Sequence, residues 1–163
     1  MATLTSLAAQ GVLVSVTVPL DHGELSQRSL YGFPNFPKWL ADDLPNLETG
    51  RLQAVETPQE QLDDLFYRWI AGKRIVYGKM FKDLMPQADE VWEFKTVDIR
   101  IFGWIYVPCV FIAVFGDYAD DYKGRNAGTK YQRAINRVKD HRNGLDLDEP
   151  KFATGAFDDL IRV

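Results

Sequence analysis

Residues 91–138 constrain the fold of this chain more than any other stretch. Apolar and charged residues alternate over 92–95, which is the period-two pattern of a strand with one buried face. A turn is predicted at 96–98, and a second strand with the same alternation follows it. The run 110–115 is almost wholly apolar and predicts a third strand that is buried on both faces. We therefore predict a three-stranded antiparallel meander at the centre of the fold.

Two helices are predicted to precede this meander. Thr57 is a typical N-cap, Pro58 stands at the first helical position, and Glu60 completes a capping box. An apolar stripe follows at helical spacing, and Gly72 is suited to end the helix. A second, lysine-rich helix is predicted over 73–84. The two helices would form a hairpin whose apolar faces need a sheet to cover.

The remaining elements complete an α+β prediction. Short strands are expected over 12–18 and 51–56, and one helical turn over 38–44 in an otherwise irregular, aromatic-rich segment. The predicted fold is an antiparallel sheet covered by a two-helix hairpin, with a C-terminal helix over 130–142. Three units are predicted: an N-terminal extension (1–50), the main domain (51–142) and an acidic, apolar tail (143–163).

Composition narrows the classes of function. The 163 residues carry a formal net charge of −4 at pH 7, which argues against indiscriminate nucleic-acid binding. Seven basic residues against one acid lie between 123 and 142, however, and an acidic tail follows. One cysteine and two histidines argue against a zinc site. The lone cysteine predicts a reducing compartment, and no apolar run of about 18 residues suggests a membrane span. We expect a cytoplasmic protein without a membrane partner.

The two charged strands carry a resemblance to a known family. The segments 91–95 (VWEFK) and 98–102 (DIRIF) resemble the paired strands of the RelE/ParE toxin superfamily, particularly its HigB-like, phage-associated branch. The apolar strand 111–115, the lysine that trails it at 123 and the helix beginning near Tyr131 resemble later parts of that fold. The predicted order of one strand, two helices and a meander also fits. The likeness covers roughly residues 51–142.

The resemblance implies a metal-independent endoribonuclease that cleaves mRNA and blocks translation, without a cofactor. The residues that it assigns to catalysis are Lys95, Arg100, Lys123 and Tyr131. The first two would be strand-borne cations near the scissile phosphate, and the third a further phosphate contact or acid. Tyr131 would stack or transfer a proton. Cations directed at developing negative charge are the principal means of accelerating phosphodiester transfer without a metal.

The basic helix adds a candidate RNA-binding surface. Its residues, with one from the preceding loop, are Arg125, Lys130, Arg133 and Arg137. The partners expected of such a toxin are an antitoxin, mRNA and the ribosome.

A second hypothesis stays open from the sequence. The acidic net charge, the long N-terminal extension and the acidic tail favour a non-catalytic phage or prophage protein that uses the same fold as an interaction module. It would be a virion or assembly component, or a host-directed inhibitor. Lys95 and Arg100 would then be solvent-facing residues that pair across strands with Glu93 or Asp98. The basic helix face would be a solvated surface, and Tyr131 a packing residue.

Overall fold

The computed structural model describes residues 1–84 and 89–163 of the chain. Within these residues it forms five α-helices and a six-stranded sheet. The helices are α1 (Leu4–Ala9), α2 (Asn35–Asp42), α3 (Pro58–Ile70), α4 (Ala127–Gly144) and α5 (Phe157–Ile161). The strands are β1 (Val14–Ser15), β2 (Ser29–Gly32), β3 (Phe81–Asp83), β4 (Trp92–Lys95), β5 (Ile99–Val107) and β6 (Val110–Tyr118). Two 3₁₀ turns occupy Leu44–Asn46 and Ala119–Tyr122. The α+β class is confirmed.

The sheet is mixed, with strand order β1-β2-β6-β5-β4-β3. Strands β3 to β6 run antiparallel to one another, so the predicted meander is confirmed and extended by one strand. Strand β2, however, pairs with β6 in parallel, with Ser29 opposite Val110 and Gly32 opposite Ala113. The prediction of a wholly antiparallel sheet was therefore wrong. Residues within 1–50 supply two strands of the same sheet.

Helix α3 begins and ends where the sequence predicts. The Thr57 side chain accepts a hydrogen bond from the Glu60 amide at 3.2 Å and so caps the first turn. Gly72 adopts a φ of +76° just beyond the helix, a conformation that favours glycine. Trp69 and Phe66 on the buried side of α3 pack against Phe94 of β4. The apolar stripe therefore covers one face of the sheet, as expected.

The predicted helix over 73–84 is wrong. This part of the chain is fully described and forms a turn followed by β3. Gly78 has a φ of +82°, which is unfavourable inside a helix, and Phe81 pairs across the sheet with Phe94. The ring of Phe81 is fully buried among Trp69, Phe94 and other aromatic rings. Long-range aromatic packing thus overrides the local helical pattern, and α3 has no partner helix from residues 73–84.

The ends of the chain differ from prediction in several places. The expected strand over 12–18 shrinks to β1, and residues 51–56 form turns and coil instead of a strand. The short helix expected over 38–44 is α2, which begins at Asn35. The tail packs on the body of the protein, because Leu160 and Ile161 of α5 are buried in the main core.

A buried arginine joins the N-terminal part of the chain to α3 and to the tail. Arg28 is only 5% exposed, and its Nε donates to the Ile161 carbonyl at 2.8 Å. Its Nη1 donates to the carbonyls of Trp69 (3.1 Å) and Lys73 (3.0 Å), where α3 ends. The guanidinium also lies over the Trp69 ring. One side chain therefore satisfies helix-end carbonyls from two separate elements.

We predict that Arg28→Met destabilises the protein by about 2–4 kcal/mol, because several buried carbonyls lose their donor. Denaturant unfolding followed by circular dichroism measures the change. Arg74→Met is the control, since Arg74 is exposed, and it should stay within about 0.5 kcal/mol of the parent. If Arg28→Met lowers the free energy of unfolding by less than about 1 kcal/mol, water must satisfy the carbonyls that Arg28 binds in the parent protein.

Candidate functional site

Strand alternation places Glu93, Lys95 and Arg100 on the sheet face that packs against α4. Phe102 belongs to the α4-side core, and it lies opposite Glu93 in the β4–β5 ladder. Arg100 lies opposite Lys95 in the same ladder. Directly paired residues share a face, so all three charged side chains project to the same side. The opposite face carries Trp92 and Phe94 in the core under α3.

Three of the four predicted catalytic residues line one cleft. Lys95, Arg100 and Lys123 border a cleft of about 760 Å³ between α3 and the β4–β5 turn, referred to below as the cleft. Lys79 adds a fourth basic group. The α3 side of the cleft carries two acids, Glu60 and Asp64, and a fifth basic group, Arg68, which pairs with Asp64 at 3.1 Å. The cleft therefore has one basic wall and one wall of mixed charge.

Each of the three cations has a partner within the protein. Lys95 Nζ donates to the Gly78 carbonyl at 3.0 Å. Arg100 Nη1 donates to the carbonyls of Thr96 and Ile99, the latter at 3.0 Å. Lys123 Nζ lies 3.4 Å from Asp120 Oδ1. A ligand anion would therefore compete with carbonyl oxygens for two of the cations and with a carboxylate for the third.

Glu93 and Arg100 form a buried ion pair beside the cleft. Glu93 is 1% exposed and Arg100 is 9% exposed, with Glu93 Oε2 3.9 Å from Arg100 Nε. Neither of these two atoms has a hydrogen-bond partner among the described residues. Arg100 thus pairs across strands with Glu93, as the alternative prediction for this residue expected, but it is buried and not solvent-facing. Burial of such a pair is costly unless the charges are well compensated, so the pair holds the arginine in one place at some cost in stability.

Tyr131, the fourth predicted catalytic residue, lies away from the cleft. Its hydroxyl donates to Glu93 Oε1 at 3.4 Å, and its ring packs 5.0 Å from the Tyr122 ring. It borders a separate depression of about 260 Å³, which Glu93 and Lys95 also line. Tyr131 therefore lies beside the buried carboxylate and Arg100, but it does not line the cleft.

Burial shifts the pKa values of this group of residues in opposite directions. Desolvation raises the pKa of Glu93, although Arg100 and Lys95 oppose the shift. Desolvation, together with the charge of Arg100, lowers the pKa of Lys95. The pKa of Tyr131 is raised by desolvation and by Glu93. Both shifts disfavour the charged forms, as burial does in general, and groups with perturbed pKa values cluster at functional sites.

The predicted RNA-binding residues lie on a different surface. Lys130, Arg133 and Arg137 line a groove of about 380 Å³ along α4, and Asp117 and Asp121 border the same groove. The Arg137 guanidinium lies 4.0 Å from the centre of the Phe115 ring. Arg125 is exposed in the loop before α4. The cleft and this groove are thus separate features of the surface.

Two acidic residues that the sequence analysis did not single out shape the cleft. Asp98 is 2% exposed and accepts hydrogen bonds from the Gly50 amide (3.0 Å) and from Gln61 Nε2 (2.7 Å). Asp120 accepts from the Arg51 amide at 2.8 Å and contacts Lys123. Both hold residues 50–51 near the mouth of the cleft. The position of Asp98, a carboxylate between two strands, could have suggested a structural role. Its partners could not be predicted, because Gln61 and Gly50 are 37 and 48 residues away in sequence.

Comparison with protein-family models, with curated proteins and with solved structures finds no match for this chain. Across residues 1–84 and 89–163, no group of three or more histidine, cysteine or acidic side chains could hold a metal ion. No helix in that same part of the chain is long and apolar enough to cross a membrane.

We predict that Glu93 makes stability depend on pH in a specific direction. Its folded pKa is raised, so the folded state holds the proton more tightly than the unfolded state. The free energy of unfolding, relative to that of a Glu93→Gln variant, should therefore fall as pH rises. The fall should begin near about 4.3, the ordinary pKa of glutamate, and continue through the raised pKa of Glu93 in the folded state. Urea unfolding of both proteins between pH 4 and 8 measures the difference, in which the other titrating groups largely cancel. A difference that does not vary with pH would contradict the assignment.

Proposed function

We propose that this chain is a metal-independent endoribonuclease of the RelE/HigB-like kind, which cleaves mRNA in the cleft and thereby blocks translation. The observation that carries the proposal is the convergence of Lys95, Arg100 and Lys123 on one cleft, although they come from β4, β5 and the loop before α4. The antiparallel pairing of β4, β5 and β6, which carries Lys95 and Arg100, also supports it.

The proposed chemistry is transfer of the phosphate to the neighbouring ribose 2′-oxygen. The 2′-oxygen loses its proton and bonds to phosphorus, and the bond from phosphorus to the 5′-oxygen breaks as that oxygen gains a proton. Lys95 is suited to move one of these protons, because its lowered pKa increases the neutral fraction. Arg100 and Lys123 are placed to stabilise the negative charge that develops on the phosphate oxygens.

In this proposal Glu93 orients Arg100 and does not touch the RNA. The carboxylate is buried and lies behind the guanidinium, where its charge offsets part of the cost of burying the arginine. The groove along α4 would bind RNA outside the scissile phosphate through Lys130, Arg133 and Arg137, with Arg125 at its end. The acids beside that groove would limit the affinity for unrelated polyanions.

We predict that Lys95→Met lowers the rate of mRNA cleavage about 100-fold or more, because it removes the proton-transfer group and keeps the length of the side chain. The measurements are cell-free translation without a chelator and, separately, cleavage of a defined mRNA by the purified protein with and without a chelator. The chelator should leave wild-type activity unchanged. Lys38→Met is the matched control, since Lys38 is exposed on α2 and does not line the cleft. Equal activity of Lys95→Met and the control would remove Lys95 from the mechanism.

A second function is favoured by a specific observation. The cations of the cleft are already engaged by internal partners, and Leu52 and Val55 are 66% and 96% exposed, with Leu52 lining the cleft. These features fit a non-catalytic phage or prophage protein that binds another protein there, as a virion or assembly component or as a host-directed inhibitor.

The two functions give opposite results on expression in cells. The nuclease arrests growth, and an Arg100→Ala variant that still folds does not. Growth arrest accompanied by mRNA cleavage, with both abolished by Arg100→Ala, would exclude the non-catalytic module. High-level expression of the wild type without any effect on translation would exclude the nuclease.

A further inference from the structure

Residues 48–52, referred to below as the strap, cross the sheet end beside the mouth of the cleft. Leu52 of the strap lines the cleft, yet 66% of its surface is exposed. Arg51 is exposed as well. Because apolar burial contributes little here, the strap depends on its hydrogen bonds to stay in place.

Three side chains from the sheet end hold the strap through its backbone. The Gly50 amide donates to Asp98 Oδ1 at 3.0 Å, and the Arg51 amide donates to Asp120 Oδ2 at 2.8 Å. The Tyr118 hydroxyl accepts from the Glu48 amide and donates to the Glu48 carbonyl, each at 3.1 Å. Two of the three anchors are thus carboxylates that accept from consecutive backbone amides.

The two carboxylates differ in how firmly they are fixed. Asp98 is buried and is held by Gln61, which donates to its Oδ2 and accepts from its amide at 2.7 and 3.0 Å. Asp120 is only half-buried, and besides the Arg51 amide its side-chain partner is Lys123. The backbone bond from Arg51 and the bond from Lys123 both lower the pKa of Asp120, so this carboxylate stays charged at neutral pH.

We propose that the strap is a latch on the cleft and that Asp120 couples its release to the binding of an anion by Lys123. Lys123 serves two competing partners, the Asp120 carboxylate and a phosphate group in the cleft. When phosphate takes the ammonium, Asp120 loses its counter-charge and faces a second negative group. The phosphate repels the half-buried Asp120 carboxylate, which turns away from the Arg51 amide, and the strap lifts from the mouth of the cleft. The identity of the anion as an RNA phosphate rests on the proposed function, whereas the latch rests on the contacts alone.

Gly50 permits a test that changes no charged group. A Cβ at this position would lie 2.7 Å from Asp120 Oδ2 and 2.9 Å from Asp98 Oδ1, so Gly50→Ala forces the carboxylates and the strap apart, and whether the side chains or the strap move, the bonds between them are disturbed. Gly144→Ala at the end of α4 is the matched control, because its Cβ would meet nothing within 4 Å. Both variants are made in the full chain.

The measurements are the rate of tryptic cleavage after Arg51 and the hydrogen exchange of the Arg51 amide. Gly50→Ala should accelerate both by about tenfold or more, the factor that loss of one charge-assisted hydrogen bond corresponds to. Gly144→Ala should match the wild type. Wild-type rates in Gly50→Ala would overturn the latch, since the two carboxylates would then not restrain the strap.

The coupling is tested with inorganic pyrophosphate as the anion. Exchange of the Arg51 amide should rise when pyrophosphate is added to the wild type, and should show no further rise in Lys123→Met. An unchanged wild-type rate, or the same rise in Lys123→Met, would overturn the coupling. Neither readout involves RNA cleavage. A responsive strap in a protein that cleaves no RNA would support the latch and exclude the nuclease.

Discussion

Strands β5 and β6 are buried on both faces, and the placement of nearly every other element follows from this. Trp69 of α3 packs against Phe94 and Phe111 on one face, and Ile135 and Val138 of α4 belong to the core on the other. A hairpin covered on both sides leaves little room for charge. The charged residues of β5 and β6, Arg100 and Asp117, therefore lie opposite each other near the β4–β5 turn. There Arg100 pairs with Glu93 of β4, and Lys95 reaches the cleft.

Local signals account for what the sequence predicted correctly about the fold. The capping residues of α3 lie within four positions of one another, and the hairpin between β5 and β6 turns at Pro108 and Cys109, as a proline that cannot donate to a ladder suggests. The failures share a different cause. Residues 73–84 carry a helical pattern, but Phe81 packs in an aromatic cluster that includes Phe111, thirty residues later in the chain. This packing stabilises a strand at Phe81 instead of a helix. Strand β2 was missed because its partner β6 is remote in sequence and its own segment is rich in turn residues.

The candidate site was predictable in part. Alternation along β4 predicts that Glu93 and Lys95 share a face, and the resemblance supplied Arg100 and Lys123 as further site residues. Neither indicated that Glu93 is buried, because burial depends on α4 closing over that face. Nor did either indicate that Asp98 and Asp120 accept hydrogen bonds from the amides of Gly50 and Arg51. Every residue except proline has a backbone amide, so the sequence does not show which amide a carboxylate binds. The sequence therefore indicated which charged side chains the site could use, and the tertiary structure determined which of them lie in contact.

The parallel pairing of β2 with β6 has a kinetic consequence. β2 leaves the ribosome long before its partner, because about eighty residues separate Ser29 from Val110. Until β6 is synthesised, β2 can pair only with the two-residue β1. The chain must close this long loop before the β2–β6 contacts can form, and the entropic cost of closure slows folding. Until then the unpaired β2 can form incorrect strand pairings. The parallel pairing of β2 therefore belongs to the late part of folding, after β6 has been made.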